Sequence, residues 1–227
     1  MTGQSMTGPR RSPRPLLLGH RGARALSSIP ENTLASFDKA LADGCDGFEF
    51  DVRLSADNKL VLCHDSHSGD VEIARASADQ LAALPQLQDV LARYQDRAFL
   101  DIELKVSGLE KITAALLKKY TPHRGFVVSS FLPEALQTIH TEDAEIPLGL
   151  ICETKTQLLR WNELPCEFVI PHFKLADRDL IRRVKLAGRK IIVWTVNTPA
   201  GIRRFAKYGV DGIISDNTSL LCRTLVE

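Results

Sequence analysis

No apolar run in this sequence approaches the roughly 20 residues a helix needs to span a bilayer, so no integral membrane segment is expected. Residues 1–14 hold three arginines and no continuous apolar segment. They lack the core of a secretory signal, and a disordered tail on a cytoplasmic protein is expected. Net charge is also nearly absent: 29 Lys and Arg stand against 28 Asp and Glu, a formal +1. That leaves no electrostatic case for nucleic acid or an anionic membrane as the main partner. The five cysteines, Cys45, Cys63, Cys152, Cys166 and Cys222, are odd in number and never spaced Cys-x-x-Cys. This spacing argues against a zinc site or a disulfide framework and for free, mostly buried thiols. Finally, no Gly-x-Gly-x-x-Gly follows the first apolar run, which disfavours a dinucleotide-binding doubly wound sheet.

What is present is an alternation of short apolar runs and amphipathic stretches. The apolar fraction of 44% and charged fraction of 25% suit a soluble globular chain. Strands are predicted to start at Leu16, Gly47, Ala98, Gly125, Pro147, Glu167, Lys190 and Val210. Helices are predicted over residues 34–42, 87–94, 109–119, 133–141, 155–162, 177–187, 199–207 and 218–225. A further extended piece is expected over residues 59–63. Residues 66–85 show no clear period, and one helix is expected there at 78–84. Repeated βα units require parallel strands joined by right-handed crossovers. This α/β pattern predicts a (β/α)₈ barrel formed by residues 15–227 as a single unit.

In such a barrel the active-site groups lie at the C-terminal strand ends, and the polar exceptions in this chain fall there. His20 and Arg21 end the first strand. Glu49 and Asp51 end the second, on one face, with Phe50 turned outward under a helix. Asp101, Glu103 and Lys105 share one parity on the next strand. Ser129, Trp194, Asn197, Ser215 and Asp216 follow at later strand ends. Three carboxylates in one site cannot all ionise without a cation, and an all-oxygen set suits Mg²⁺ or Ca²⁺. The alternative is a salt-bridge network with Arg21 and Lys105, but two cations do not balance three acids plus Asp101. His20 and His64 have neighbours suited to orient them, Arg21 and Asp65, and form a candidate acid–base pair. His67 is the substitute for His64. His123, His140 and His172 are expected on the surface or in loops. Arg21 and Lys105 beside a cation suggest an anionic, phosphate-like substrate. Trp194 either walls that pocket or packs in the core.

His20-Arg21-Gly22, Pro30-Glu31-Asn32-Thr33, Glu49-x-Asp51-Val52, His64-Asp65, Glu103-x-Lys105, Trp194-Thr195-Val196-Asn197 and Gly209-Val210-Asp211-Gly212 resemble, in order and nearly in wording, the glycerophosphodiester phosphodiesterase family. The resemblance implies a TIM barrel that hydrolyses small-molecule glycerophosphodiesters to sn-glycerol 3-phosphate and an alcohol with a divalent cation. It implies Glu49, Asp51 and Glu103 as metal ligands, His20 and His64 as general base and acid, and Arg21 and Lys105 as phosphate contacts. Family members usually carry a longer insertion after His-Asp. Here only residues 66–84 separate Asp65 from Pro85, so a shortened insertion after the second strand is expected. A more open mouth would admit larger substrates, a lysophospholipid included. The remaining alternative is a catalytically silent phosphate-ligand binding barrel. The oligomeric state is not legible.

Overall fold

The computed structural model describes residues 14–226. The tail expected at residues 1–14 lies outside the described residues except for Arg14, whose guanidinium reaches both oxygens of Asp46 at 2.6 and 2.8 Å.

The chain runs β1 (Leu16–His20), α1 (Leu34–Ala42), β2 (Gly47–Leu54), β3 (Leu60–Leu62), β4 (His67–Ser68), β5 (Val71–Glu72), α2 (Leu87–Tyr94), β6 (Phe99–Leu104), α3 (Glu110–Lys119), β7 (Phe126–Ser130) and α4 (Pro133–Glu142). It continues through β8 (Leu148–Cys152), α5 (Lys155–Leu159), β9 (Phe168–Pro171), α6 (Arg178–Leu186), β10 (Lys190–Val193), α7 (Pro199–Tyr208), β11 (Gly212–Ser215) and α8 (Thr218–Val226). Strands β1, β2, β6, β7, β8, β9, β10 and β11 pair in parallel in that circular order, and β1–β11 closes the ring. The expected eight-stranded (β/α) barrel is therefore the fold. Strand β3 is antiparallel to the far end of β2, with Val52 opposite Leu62 and Leu54 opposite Leu60. This short return leads the chain back from Leu54 to His64 at the strand ends.

Side-chain alternation along each strand divides the apolar residues into two cores. Leu18, Phe99, Val127, Ile151, Phe168, Ile170, Ile192 and Ile214 fill the barrel interior. Leu17, Phe48, Phe50, Leu100, Ile102 and their neighbours face outward into the layer beneath the helices. Each such side chain, fully buried, contributes about 1.5–3 kcal/mol. Phe50 is packed as expected, 5.6 Å from Phe37 of α1, while Phe37 stacks on Phe48 at 4.2 Å. The entry to β2 has to be glycine, because a Cβ on Gly47 would lie 1.8 Å from the Phe99 carbonyl oxygen.

The helix expected at residues 78–84 does not form; consecutive turns take its place. The Gln80 side chain accepts a hydrogen bond from the Ser77 N–H at 2.9 Å. Such local bonds compete with helical ones, and Pro85 disfavours helix just before it. Leu81, with Val61, Ile73 and Ala76, anchors the segment in a small separate core. The chain before it, read as irregular, contains the β4–β5 hairpin. The helix expected over residues 155–162 is α-helical only to Leu159 and ends in a 3₁₀ turn, Arg160–Asn162. All five cysteines are free thiols.

Candidate active site

The site begins in the turn after β1. Arg21 and Gly22 both adopt positive φ, 50° and 81°. A Cβ on Gly22 would come within 2.3 Å of Ser36 Oγ, so only glycine fits. The Ser36 hydroxyl donates to the Arg21 carbonyl at 3.0 Å and accepts from the Ala23 N–H at 2.8 Å, tying the turn to α1. The Arg21 N–H is thereby aimed at Glu49 Oε2, 3.0 Å away.

His20 is oriented from the end of the neighbouring strand, β11. Its Nδ1 lies 2.6 Å from Asp216 Oδ1, and its Nε2 lies 3.7 Å from Glu49 Oε2. Arg21, the neighbour expected to orient it, does not do so; that guanidinium bonds Glu31 at 2.7 Å and approaches Asp51 at 3.2 Å. Asp216 is itself fixed by Asn197 Nδ2 at 2.5 Å and by Arg24 at 3.3 Å. Burial alone would raise the Asp216 carboxyl, but the hydrogen bond to His20 and its charge outweigh this. Asn197 and Arg24 add to them, and the carboxyl falls to about 2.

Register sets the acids side by side: His20 is level with Glu49, Glu49 with Asp101, and Asp51 with Glu103. One carboxylate oxygen each from Glu49, Asp51 and Glu103 lie within 4.8 Å of one another. All three residues are buried, at 4%, 1% and 7% exposure, so their charge is poorly screened. Burial pushes Glu49 well above its ordinary value, and Asp51, Glu103 and Asp101 push it further. Burial and Asp51 likewise push Glu103 up to about 7, against the opposing pull of Lys105. Burial raises Asp101 to about 7 although the Ser129 hydroxyl donates to it at 2.5 Å. Asp51 moves the other way: Lys105, Arg21 and the Asn32 amide overcome its burial. Asn32, at φ 56°, clamps it by donating to Asp51 Oδ2 at 2.9 Å and accepting from the Asp51 N–H at 3.2 Å.

Lys105 Nζ lies 2.6 Å from Glu103 Oε1 and 3.2 Å from Asp51 Oδ1. Lys105 thus pairs with two of the three acids, while Glu49 Oε1 is buried without a hydrogen bond. Three buried, converging carboxylates are costly with one lysine and one arginine beside them. The donor set, three converging carboxylates with oxygens within 4.8 Å of one another, suits a divalent cation that prefers oxygen ligands.

His64 stands at the end of the β2–β3 return. Arg53 grips its carbonyl at 2.7 and 3.0 Å, and its Nδ1 lies 2.8 Å from Asp65 Oδ1, as expected. Burial lowers the His64 pKa against the opposing pull of Asp65 and Asp51, and Lys105 and Arg21 lower it further. His67 is exposed in β4 beside Ser66 and is not among the residues lining the mouth.

A cavity of about 240 Å³ opens here. His20, Arg21, Glu49, His64, Glu103, Lys105 and Trp194 all line it, with Asp51 beneath in contact with Arg21 and Lys105. Trp194 is thus a wall, its indole N–H donating to the Ile170 carbonyl at 2.9 Å. The positioning roles of Asp216, Asn197 and Asn32 were not read from the sequence. Asp216 and Asn197 fall past strand ends, where barrel groups gather; for Asn32 the signal was the Pro30-Glu31-Asn32-Thr33 run, of which only Thr33 caps α1.

Residues 20–220 match the profile described as the Glycerophosphoryl diester phosphodiesterase family. A protein of Caldanaerobacter subterraneus subsp. tengcongensis named glycerophosphodiester phosphodiesterase is 27% identical over 235 residues, covering 91% of this chain and 96% of its own. An Oleispira antarctica phosphodiesterase, solved with the product sn-glycerol-3-phosphate, superposes with a TM-score of 0.82 at 26% identity, over 94% of this chain and 98% of that one. A glycerophosphodiester phosphodiesterase from Thermotoga maritima gives 0.81 at 25% identity, over 94% and 99%.

Proposed function

The chain belongs to the glycerophosphoryl diester phosphodiesterase family, and from that premise we propose that it hydrolyses glycerophosphodiesters to sn-glycerol 3-phosphate and an alcohol, with residues 15–227 as a single phosphodiesterase barrel. The observation that carries this reading is the convergence of two carboxylate-oriented histidines on one cavity with the Glu49, Asp51 and Glu103 cluster. Glu49, Asp51 and Glu103 would hold the divalent cation, Mg²⁺ or Ca²⁺, which supplies Lewis-acid stabilisation of charge on a phosphoryl oxygen.

The protein's own groups account for the rest. Arg21 and Lys105 hold the phosphate and offset the charge that builds on its non-bridging oxygens. Asp216 and Asp65 each sit on the Nδ1 side of a histidine, which leaves Nε2 of His20 and His64 for proton transfer. One histidine takes the proton of the glycerol 2-hydroxyl as that oxygen attacks phosphorus. The bond from phosphorus to the alcohol oxygen breaks, and the other histidine protonates the departing oxygen. Water then opens the resulting cyclic phosphate, the two histidines exchanging roles, to give sn-glycerol 3-phosphate. Incubation of the purified protein with glycerophosphocholine and Mg²⁺ or Ca²⁺, with enzymatic detection of glycerol 3-phosphate, tests this. Turnover that chelator abolishes supports it, and no turnover over a panel of alcohol groups refutes it.

A further inference from the structure

The cavity mouth has two unlike halves. Its charged groups come from the ends of β1, β2 and β6 and from His64 after β3. The opposite lining, from β7 to β11, is Phe131, Ile151, Ile170, Trp194 and Ile214, with one acid, Glu153. We propose that this second half recognises a cationic alcohol group, an ammonium or trimethylammonium headgroup, through Glu153 and the aromatic wall. The inference rests on the phosphodiesterase reading.

A diester whose phosphate is drawn to Arg21 and Lys105 extends its esterified groups over the opposite wall. There Trp194 meets Phe131 at 5.8 Å and the His172 ring at 5.2 Å, both edge-to-face. Aromatic faces attract ammonium and methylammonium groups, about 0.5–1 kcal/mol each at an exposed site. Glu153 follows directly on β8. Its N–H donates to Gln157 Oε1 at 3.0 Å, so the α5 capping turn fixes the base of the side chain at the rim. Its carboxylate has no ion pair or hydrogen bond among the described residues. Lys174 opposes Glu153 at the His172 ring, but it packs over Phe173 and lines a separate cleft. Among the described residues Glu153 is the one charged side chain in this half of the cavity lining, which favours choline- or ethanolamine-type groups over anionic ones.

The test compares kcat/KM for glycerophosphocholine, glycerophosphoethanolamine and the neutral glycerophosphoglycerol, in the wild-type protein, Glu153→Gln and Glu153→Lys. The wild type is expected to favour the two cationic substrates. That ratio should fall about three- to five-fold in Glu153→Gln, the scale of an exposed ion pair, and further in Glu153→Lys. The wild-type preference should also shrink at about 0.5 M NaCl. Equal ratios in all three proteins, or a wild-type preference for the neutral diester, would overturn the inference while leaving the phosphodiesterase reading intact. Absence of wild-type turnover on every diester would overturn both.

Discussion

His20 Nδ1 lies 2.6 Å from Asp216 Oδ1, although 196 residues separate the two in sequence. Closure of the barrel between β1 and β11 brings them together, with Leu18 level with Ile214 and Gly19 with Ser215. The carboxylate fixes the ring and its tautomer, so Asp216 is a positioning residue. Asp216→Asn should lower kcat about 100-fold and leave KM within about two-fold, because the substrate contacts remain. Steady-state kinetics decides this; a variant in which KM rises and kcat holds would place Asp216 in binding instead.

The two histidines are expected to act as a pair. His20→Ala and His64→Ala should each reduce turnover by about 10²–10⁴-fold while calorimetric binding of Mg²⁺ or Ca²⁺ persists. Glu49→Ala should lose both activity and binding. His67→Ala should stay near wild type, given its exposed place in β4. Near-normal activity in His64→Ala would transfer the role to His67.

Cation binding should be coupled to protons. Asp101 and Glu103 stand at about 7 in the cation-free protein, against roughly 4 for such groups in an unfolded chain. The folded state therefore keeps protons that the unfolded state has released. The associated stability is full below about pH 4 and is lost as pH rises through about 7. Thermal melts should show the cation-free protein losing Tm between about pH 5 and about pH 8. Saturating Mg²⁺ or Ca²⁺ should raise Tm more at the higher pH, since binding displaces protons. An equal gain at both pH values would contradict the carboxylate site.

Asn32 bonds both the carboxylate and the N–H of Asp51 and is not among the residues lining the cavity. Asn32→Ala should weaken cation affinity about 10- to 100-fold, visible by calorimetry, and high cation concentration should restore much of kcat. A loss of activity that saturating cation does not restore would argue against the clamp.

Much of this was legible because the signals are local. The spacing of Glu49 and Asp51 about Phe50, and of Asp101, Glu103 and Lys105 about Ile102 and Leu104, fixes which side chains face the barrel axis whatever the rest of the chain does. The apolar runs and their intervals likewise set the eight βα units. The orientation of His20 was not legible, because Asp216 is near it only once the ring has closed, and the sequence neighbour Arg21 is drawn off by Glu31 and Asp51. The clamp by Asn32 depends on a positive-φ residue folding back onto β2, which hydrophobic periodicity does not encode. Residues 78–84 were misread because alanine content suggested helix while Ser77, Gln80 and Pro85 favoured turns.

The central claim is a cation-dependent phosphodiesterase centred on Glu49, Asp51 and Glu103. The most direct measurement is release of glycerol 3-phosphate from glycerophosphocholine by the wild-type protein, assayed with Mg²⁺, with Ca²⁺ and with chelator, beside Glu103→Gln. The account predicts product with at least one cation, none with chelator, and a loss of at least about 100-fold in the variant. Undiminished product in chelator, or an active Glu103→Gln, would contradict it.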